Sequence, residues 1–301
     1  MGHKQSVDST GGSKKIYLAF EILEPAREGN KVFGSSSTGQ KHGVKSSGEE
    51  GGAIVSGPSP FNGLPEDCIS YIISFTSPRD ACVAASVSKT FESAVNSDTV
   101  WEKFLPPDYS SLFPPSRVFL SKKELYLALC NDPVLIDDGK KSFWLEKASG
   151  KRCIMLSSKE LCIEWGSTPQ YWQWISIPEA RFDKVPDVCL FDIRGKTSTH
   201  VLSTGTRYSA YIVFKTKDRC PGLEHLPVDI GLGLGSKGRE ETRDVTKPEQ
   251  REDGWMEAEL GEFYNEDSCD EVELSIIETK SPYWKRGLII QGIEFRLAKS
   301  P

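Results

Sequence analysis

Apolar residues recur at helical spacing in one part of the chain and at strand spacing in another. In "LPEDCISYIISF", Ile69, Ile72, Ile73 and Phe75 fall near one helical face. Pro65 suits the first turn, where its missing donor costs nothing. "SPRDACVAAS" follows, with Ser77 as N-cap, Pro78 at the first helical position and Asp80 in the first turn. "VSKTFESAVNSDTVWEKFL" adds Val87, Phe91 and Val95, then Asp98 as a second cap ahead of Trp101, Phe104 and Leu105. The pattern predicts three or four short helices over residues 59 to 106. Such a unit, of about 45 residues, is small for a self-sufficient core. Its plentiful apolar residues therefore pack on another domain or on another protein.

Residues 107 to 140 begin with the proline-rich connector "PPDYSSLFPPS". In "SKKELYLALCNDP", Ser121 and Glu124 form a capping box, Leu125 and Leu129 face one partner, and Pro133 stops the helix. The segment reads as a linker with a short spacer helix.

From residue 141 the period becomes two. "KSFWLEKASGKRCIMLS" predicts two strands around a Ser149-Gly150 turn. Cys189, Phe191 and Ile193 alternate, as do Ala210, Ile212 and Phe214. So do Met256, Ala258 and Leu260; Val272, Leu274 and Ile276; and Ile289, Ile293 and Phe295. Six or more strands with one apolar face each predict an antiparallel β-sandwich over residues 141 to 298. The heavily charged stretch from residue 236 to residue 253 reads as a long solvated loop. Residues 1 to 58, rich in Gly, Ser, Lys and Glu, carry too little apolar surface to offset ordering entropy and read as a mostly disordered tail. The chain is thus a multidomain α and β protein, helical first and β afterwards.

Composition narrows the function. The net charge of -6 and the absence of a basic stripe argue against a nucleic-acid binder. No apolar run reaches the ~18 residues of a membrane span. The N-terminus lacks a secretory pattern; Gly2 and Ser6 fit the loose acylation pattern, with His3 a bulky neighbour. The eight cysteines contain no C-x-x-C pair, which points to buried free thiols in a reducing compartment and to no metal or other cofactor.

Catalytic constellations are weak. His200 and His225 have no nucleophile motif beside them. "GLGLGSKG" at residues 231 to 238 lacks the Gly-to-Lys spacing of a phosphate loop and reads as a strand ending in a corner. Ubiquitin transfer through a cysteine lacks a companion His or acidic pattern. Glu271 and Glu278 as a glycosidase pair would have to sit about 5–10 Å apart, whereas seven extended residues cover ~23 Å.

The densest signal is "LCIEWGSTPQYWQW", which gathers Trp165, Tyr171, Trp172 and Trp174 within fourteen residues broken by Gly166 and Pro169. Two roles are open. The indoles fill the sandwich core, or one or two lie on a concave surface and stack on the C–H face of a sugar.

Two resemblances bear on this. Leu64-Pro65, Ile69, Ile72, the small residues Ala84-Ala85, "VSKTF" and the ending "VWEKFLP" resemble an F-box. This implies docking on the small cullin adaptor of SCF ubiquitin ligases, with Leu64, Pro65, Ile69, Ile72 and Trp101 at or just beneath the contact surface. Further on, Ile163-Glu164-Trp165, "TPQYWQWISIPEARF", "LFDIRGK", "YSAYIVFK", "DGWMEAELGEFYNE", "DEVELSI" and "WKRGLIIQGIEFR" resemble, in order, the phloem protein 2 superfamily with its Nictaba-type lectin domain. An F-box followed by this domain is similar to the plant F-box proteins of the phloem protein 2 B class.

The resemblance implies a non-catalytic ligase subunit, cytoplasmic and nuclear, that binds N-acetylglucosamine-containing glycans on glycoproteins. It assigns sugar stacking to Trp165 and Trp172, acidic contacts to Glu271 and Glu278, and a structural role to Trp174. On a straight strand the two acids face opposite sides, so only an extended oligosaccharide touches both. Two stacking rings and a few hydrogen bonds predict micromolar to millimolar affinity, roughly -4 to -8 kcal/mol. The alternatives are a lectin fold that recognises a protein surface without sugar, and a glycan binder whose F-box is vestigial.

Overall fold

Ser77, Ser88 and Ser121 each place a hydroxyl oxygen where it accepts an N–H of a helix's first turn. The computed structural model describes residues 63–114, 116–168, 171–174, 184–188, 191–216, 228–235, 243–244, 248–266, 270–278 and 285–299, and these caps begin three of the five α-helices among the described residues. The expectations for residues 1 to 58, His225, Cys189, Cys220 and Cys269, and for the side chains of Phe191 and Trp174, lie outside the described residues.

The chain divides into two compact units, residues 1 to 100 and 101 to 301. The first contains α1 (Glu66–Ile73), α2 (Pro78–Ala85), α3 (Lys89–Val95) and the start of α4 (Asp98–Phe104). Pro65 precedes α1 as its cap residue, one position earlier than expected. At α4 the serine before the acid does the capping: Ser97 Oγ accepts the N–H of Thr99, while Asp98 is already helical. Ile69, Ile73, Ala81, Cys82, Ala94, Val95 and Val100 are buried. Between α1 and α3, the buried Ser70 hydroxyl donates to the carbonyl of Ala94 at 3.0 Å, and Ser93 donates to Glu66 at 2.7 Å.

In the second unit α5 (Lys122–Asn131) is anchored to the sheets and is not a free spacer. Leu125, Tyr126 and Leu129 are buried, and Tyr126 donates to the carbonyls of Glu146 and Lys147. Its cap is a variant of the expected box: Glu124 accepts the N–H of Leu120.

The β-domain is built from antiparallel pairings. A seven-stranded sheet has the order β1-β2-β3-β15-β8-β12-β11 and a five-stranded sheet the order β10-β9-β13-β7-β4; β14, β6 and β5 form a small third sheet. The strands of the large sheet are β1 (Val134–Ile136), β2 (Lys141–Leu145), β3 (Arg152–Ser157), β8 (Thr206–Thr216), β11 (Glu249–Gln250), β12 (Met256–Asn265) and β15 (Leu288–Leu297). Those of the second are β4 (Cys162–Ile163), β7 (Phe191–Ser198), β9 (Asp229–Leu234), β10 (Arg243–Asp244) and β13 (Glu271–Glu278). The third holds β5 (Trp172–Trp174), β6 (Lys184–Val188) and β14 (Lys285–Arg286). The stretch expected as one long loop therefore contributes two short strands, β10 and β11.

The two larger sheets face each other. A methyl group placed on Gly195 of β7 would meet Ile293 at 3.0 Å and Leu161 at 3.1 Å, and one on Gly261 of β12 would meet Leu232 of β9 at 3.2 Å. The interior holds Ile154, Leu156, Ile193, Tyr208, Ile230, Leu274, Ile293 and Phe295. Strict alternation fails in β15, where the register shifts between Ile290 and Gly292. The extra residue turns Ile289 away from Ile293 and Phe295, into an outer cluster with Met155, Val213 and Trp255. Gly292 is obligatory at that bulge, since a Cβ there would lie 2.0 Å from the carbonyl oxygen of Leu156. Of the described cysteines, Cys82 and Cys153 are buried as expected, but Cys68 and Cys162 are exposed.

Candidate functional site

On the helical unit, α1 divides its residues between two faces. Ile69 and Ile73 point inward, while Tyr71, Ile72 (47% exposed) and Phe75 (70%) lie on the surface. The Tyr71 and Phe75 rings meet edge to face with centroids 4.9 Å apart. Leu64 and Pro65 are exposed ahead of the helix, and Val83 and Val87 add apolar area at and after α2. Of the residues expected at this surface, Leu64, Pro65 and Ile72 lie on it, and Ile69 lies beneath it. Trp101 has no exposed surface; its ring sits among Phe104 and Tyr126, at 5.6 Å and 5.2 Å. Phe75 lies two residues beyond the end of α1, so helical spacing alone does not give its exposure.

In the β-domain, the segment after β4 turns back on itself. Gly166 N–H donates to Ile163 O, Thr168 N–H to Trp165 O, and Tyr171 and Trp172 N–H both to Thr168 O. Trp165 occupies the left-handed region, φ 52°, at this turn. That backbone reversal leaves its indole 38% exposed, with the Tyr171 ring 5.3 Å away at an interplanar angle of 35°.

Trp172 behaves differently. It is 2% exposed, and its indole N–H donates to the carbonyl of Glu164 at 3.0 Å. An enclosed ring with its one donor engaged is a core residue, whereas the Trp165 ring lies partly on the surface. The pairing of Tyr171 with Trp165 depends on the turn and not on strand parity.

The acids are also separated. β13 pairs with β7 in unbroken register, Glu271 opposite Ser198 and Glu278 opposite Phe191. Glu271 is exposed and binds Lys196 at 2.7 Å; Glu278, with the parity of Val272, Leu274 and Ile276, is 2% exposed. Trp165, Trp172, Glu271 and Glu278 therefore do not converge on one point. Glu278 belongs to the Trp165 end of the sheet, where Glu164 N–H donates to Asp192 O, and Glu271 to the far end.

Among the described residues, no group of three or more His, Cys, Asp or Glu is placed to hold a metal ion, and no helix is long and apolar enough to cross a membrane. The Cys130 and Cys153 thiols are pushed up to about 12 by burial, which makes them poor nucleophiles.

Comparison with known proteins agrees with this division. Residues 61–103 match the F-box domain model and residues 151–297 the phloem protein 2 model. An F-box protein of Arabidopsis thaliana is 74% identical over 83% of this chain and 84% of its own length. The putative F-box protein PP2-B2 of the same plant is 63% identical over all of this chain and 97% of its own, and F-box protein PP2-B10 is 62% identical over 82% and 97%. Among solved structures, the CBM22-1 xylan-binding domain of Paenibacillus barcinonensis Xyn10C overlays 44% of this chain and 90% of its own at 17% identity and a TM-score of 0.20, too slight a likeness to carry weight. With both domain models matched in order and relatives similar along most of their length, the chain belongs to the PP2-B class of F-box proteins.

Proposed function

We propose that this protein is a non-catalytic substrate-recognition subunit of an SCF-type ubiquitin ligase, docking on the small cullin adaptor through its helical unit and holding glycoprotein targets through its β-domain. The observation that carries the ligase role is the number of large apolar residues exposed on this small unit, Leu64, Tyr71, Ile72, Phe75, Val83 and Val87. Exposed aromatic and aliphatic groups at this density are costly in water and mark a protein contact. Co-purification of the intact chain with the cullin adaptor tests it; failure of the wild-type chain to recover the adaptor favours a vestigial F-box.

The glycan reading rests on the tilted pair Trp165 and Tyr171, a surface on which the C–H face of an N-acetylglucosamine unit can stack. With one open indole, its affinity belongs at the weak end of the micromolar to millimolar range, and clustered glycans would be needed for tight capture. The enclosure of Trp172 and Glu278 favours the second reading, recognition of a protein surface without sugar. A glycan array probed with the intact chain, beside Trp165→Ala, separates the two.

A further inference from the structure

The motif "GLGLG" belongs to β9, which pairs with β13: Gly231 lies opposite Ser275 and Gly233 opposite Glu273. Ser275 and Glu273 share the parity of Glu271 and point away from the interior. The outward positions Gly231 and Gly233 of β9, and Gly235 just after its end, are all glycines. Gly235 has an internal reason: its φ is +56°, and a Cβ there would lie 2.7 Å from Asp270. Gly233 has none. Its φ is outside the left-handed region, and among the described residues nothing lies within 4 Å of a Cβ built on it. Glycine weakens a strand, and where the fold does not require it the residue often marks the close approach of a ligand.

The three glycines line an open groove of about 1200 Å³ that also takes in Cys162, Arg194, Lys196, Glu271 and Glu273. The cations of the groove are already matched. Lys196 contacts Glu271 at 2.7 Å and Glu273 at 2.9 Å, Arg194 contacts Asp192 at 3.0 Å, and Lys141 contacts Asp137 at 2.8 Å. An anionic ligand would have to draw these cations from their carboxylates. A hydroxyl both donates and accepts, so it can bridge a carboxylate and an ammonium without separating them.

We propose that the outward face of the five-stranded sheet holds an extended, uncharged oligosaccharide, with sugar rings laid on the glycine lane of β9 and hydroxyls held by Lys196, Glu271 and Glu273. This rests on the glycan reading above and extends it from one aromatic platform to a groove for several sugar units. It also gives Glu271 a role that does not require it to meet Glu278.

The test is calorimetric titration of the intact chain with neutral N-acetylglucosamine oligomers, from dimer to hexamer, for wild type, Gly233→Val, Glu273→Gln and Trp165→Ala. The groove predicts that wild-type affinity rises with oligomer length and that Gly233→Val weakens hexamer binding at least about tenfold. Its melting temperature should stay level or rise, because a β-branched residue suits a strand. Wild-type affinity in a folded Gly233→Val protein overturns the groove and leaves the platform standing. Should Gly233→Val lose its fold, Glu273→Gln decides: unchanged hexamer affinity overturns the groove, and a severalfold loss upholds it. Should wild type bind no oligomer while the protein is folded, the glycan reading itself falls, and the groove with it.

Discussion

The indole of Trp165 lies 5.3 Å from the ring of Tyr171, while Trp172, seven positions after Trp165, is sealed in the protein with its N–H on the carbonyl of Glu164. Truncating the two tryptophans should therefore have opposite consequences. Trp165→Ala is expected to lower glycan affinity with little change in melting temperature. Trp172→Ala is expected to cost about 3–5 kcal/mol of stability. Calorimetry and thermal unfolding on the same samples check both.

The two faces of α1 make a second division. Phe75→Ala should weaken adaptor binding by about 2 kcal/mol, roughly thirtyfold, with the fold intact, and Leu64→Ala/Pro65→Ala should act in the same direction. Ile69→Ala should instead destabilise the helical unit by about 2–5 kcal/mol. Quantitative pull-down beside circular dichroism distinguishes loss of contact from loss of structure.

A third prediction concerns acid. On the outer side of the seven-stranded sheet, Arg251 contacts Glu257 at 3.0 Å and Glu294 at 2.9 Å, Arg296 contacts the same two carboxylates, and the Arg296 guanidinium lies 3.8 Å from the centre of the Tyr211 ring. Burial opposes ionisation of Glu257, but Arg296 and then Arg251 outweigh it and hold the carboxyl below its ordinary range. A depressed carboxylate contributes stability that is full above its unfolded value of about 4.3 and is lost as the pH falls through the folded value. The β-domain should therefore lose stability below about pH 4.5. Arg296→Met should cost about 3–5 kcal/mol near neutrality and less in acid, where Glu257 protonates. Urea melts across the pH range measure this.

Much of the fold was legible in the residues because local chemistry and burial agree there. Serine caps, Pro78 and the period-two runs each act within a few positions, and the helices and most strands follow them. The failures occur where a non-local contact decides. Ile289 leaves its expected face because of a bulge whose reason is the carbonyl of Leu156, far away in sequence. Trp101, expected at or just beneath the contact surface, owes its enclosure to Phe104 and to Tyr126, which lies 25 residues further on. At the candidate site, the separation of Glu271 from Glu278 was readable from strand geometry alone. The pairing of Trp165 with Tyr171 was not, because it depends on one left-handed residue in a turn.

The bulge supplies a fourth prediction. Gly292→Ala forces a methyl group onto the Leu156 carbonyl oxygen and must displace β3 from β15. A marked drop in melting temperature is expected, whereas Gly233→Ala, with open space beside it, should be tolerated.

The most direct measurement of the central claim is a glycan array probed with the intact chain and with its Trp165→Ala variant. Binding of wild type to N-acetylglucosamine-containing glycans, and its loss in the folded variant, is the predicted result. A folded wild-type protein that binds no glycan, or a Trp165→Ala protein that binds as wild type does, would contradict the account.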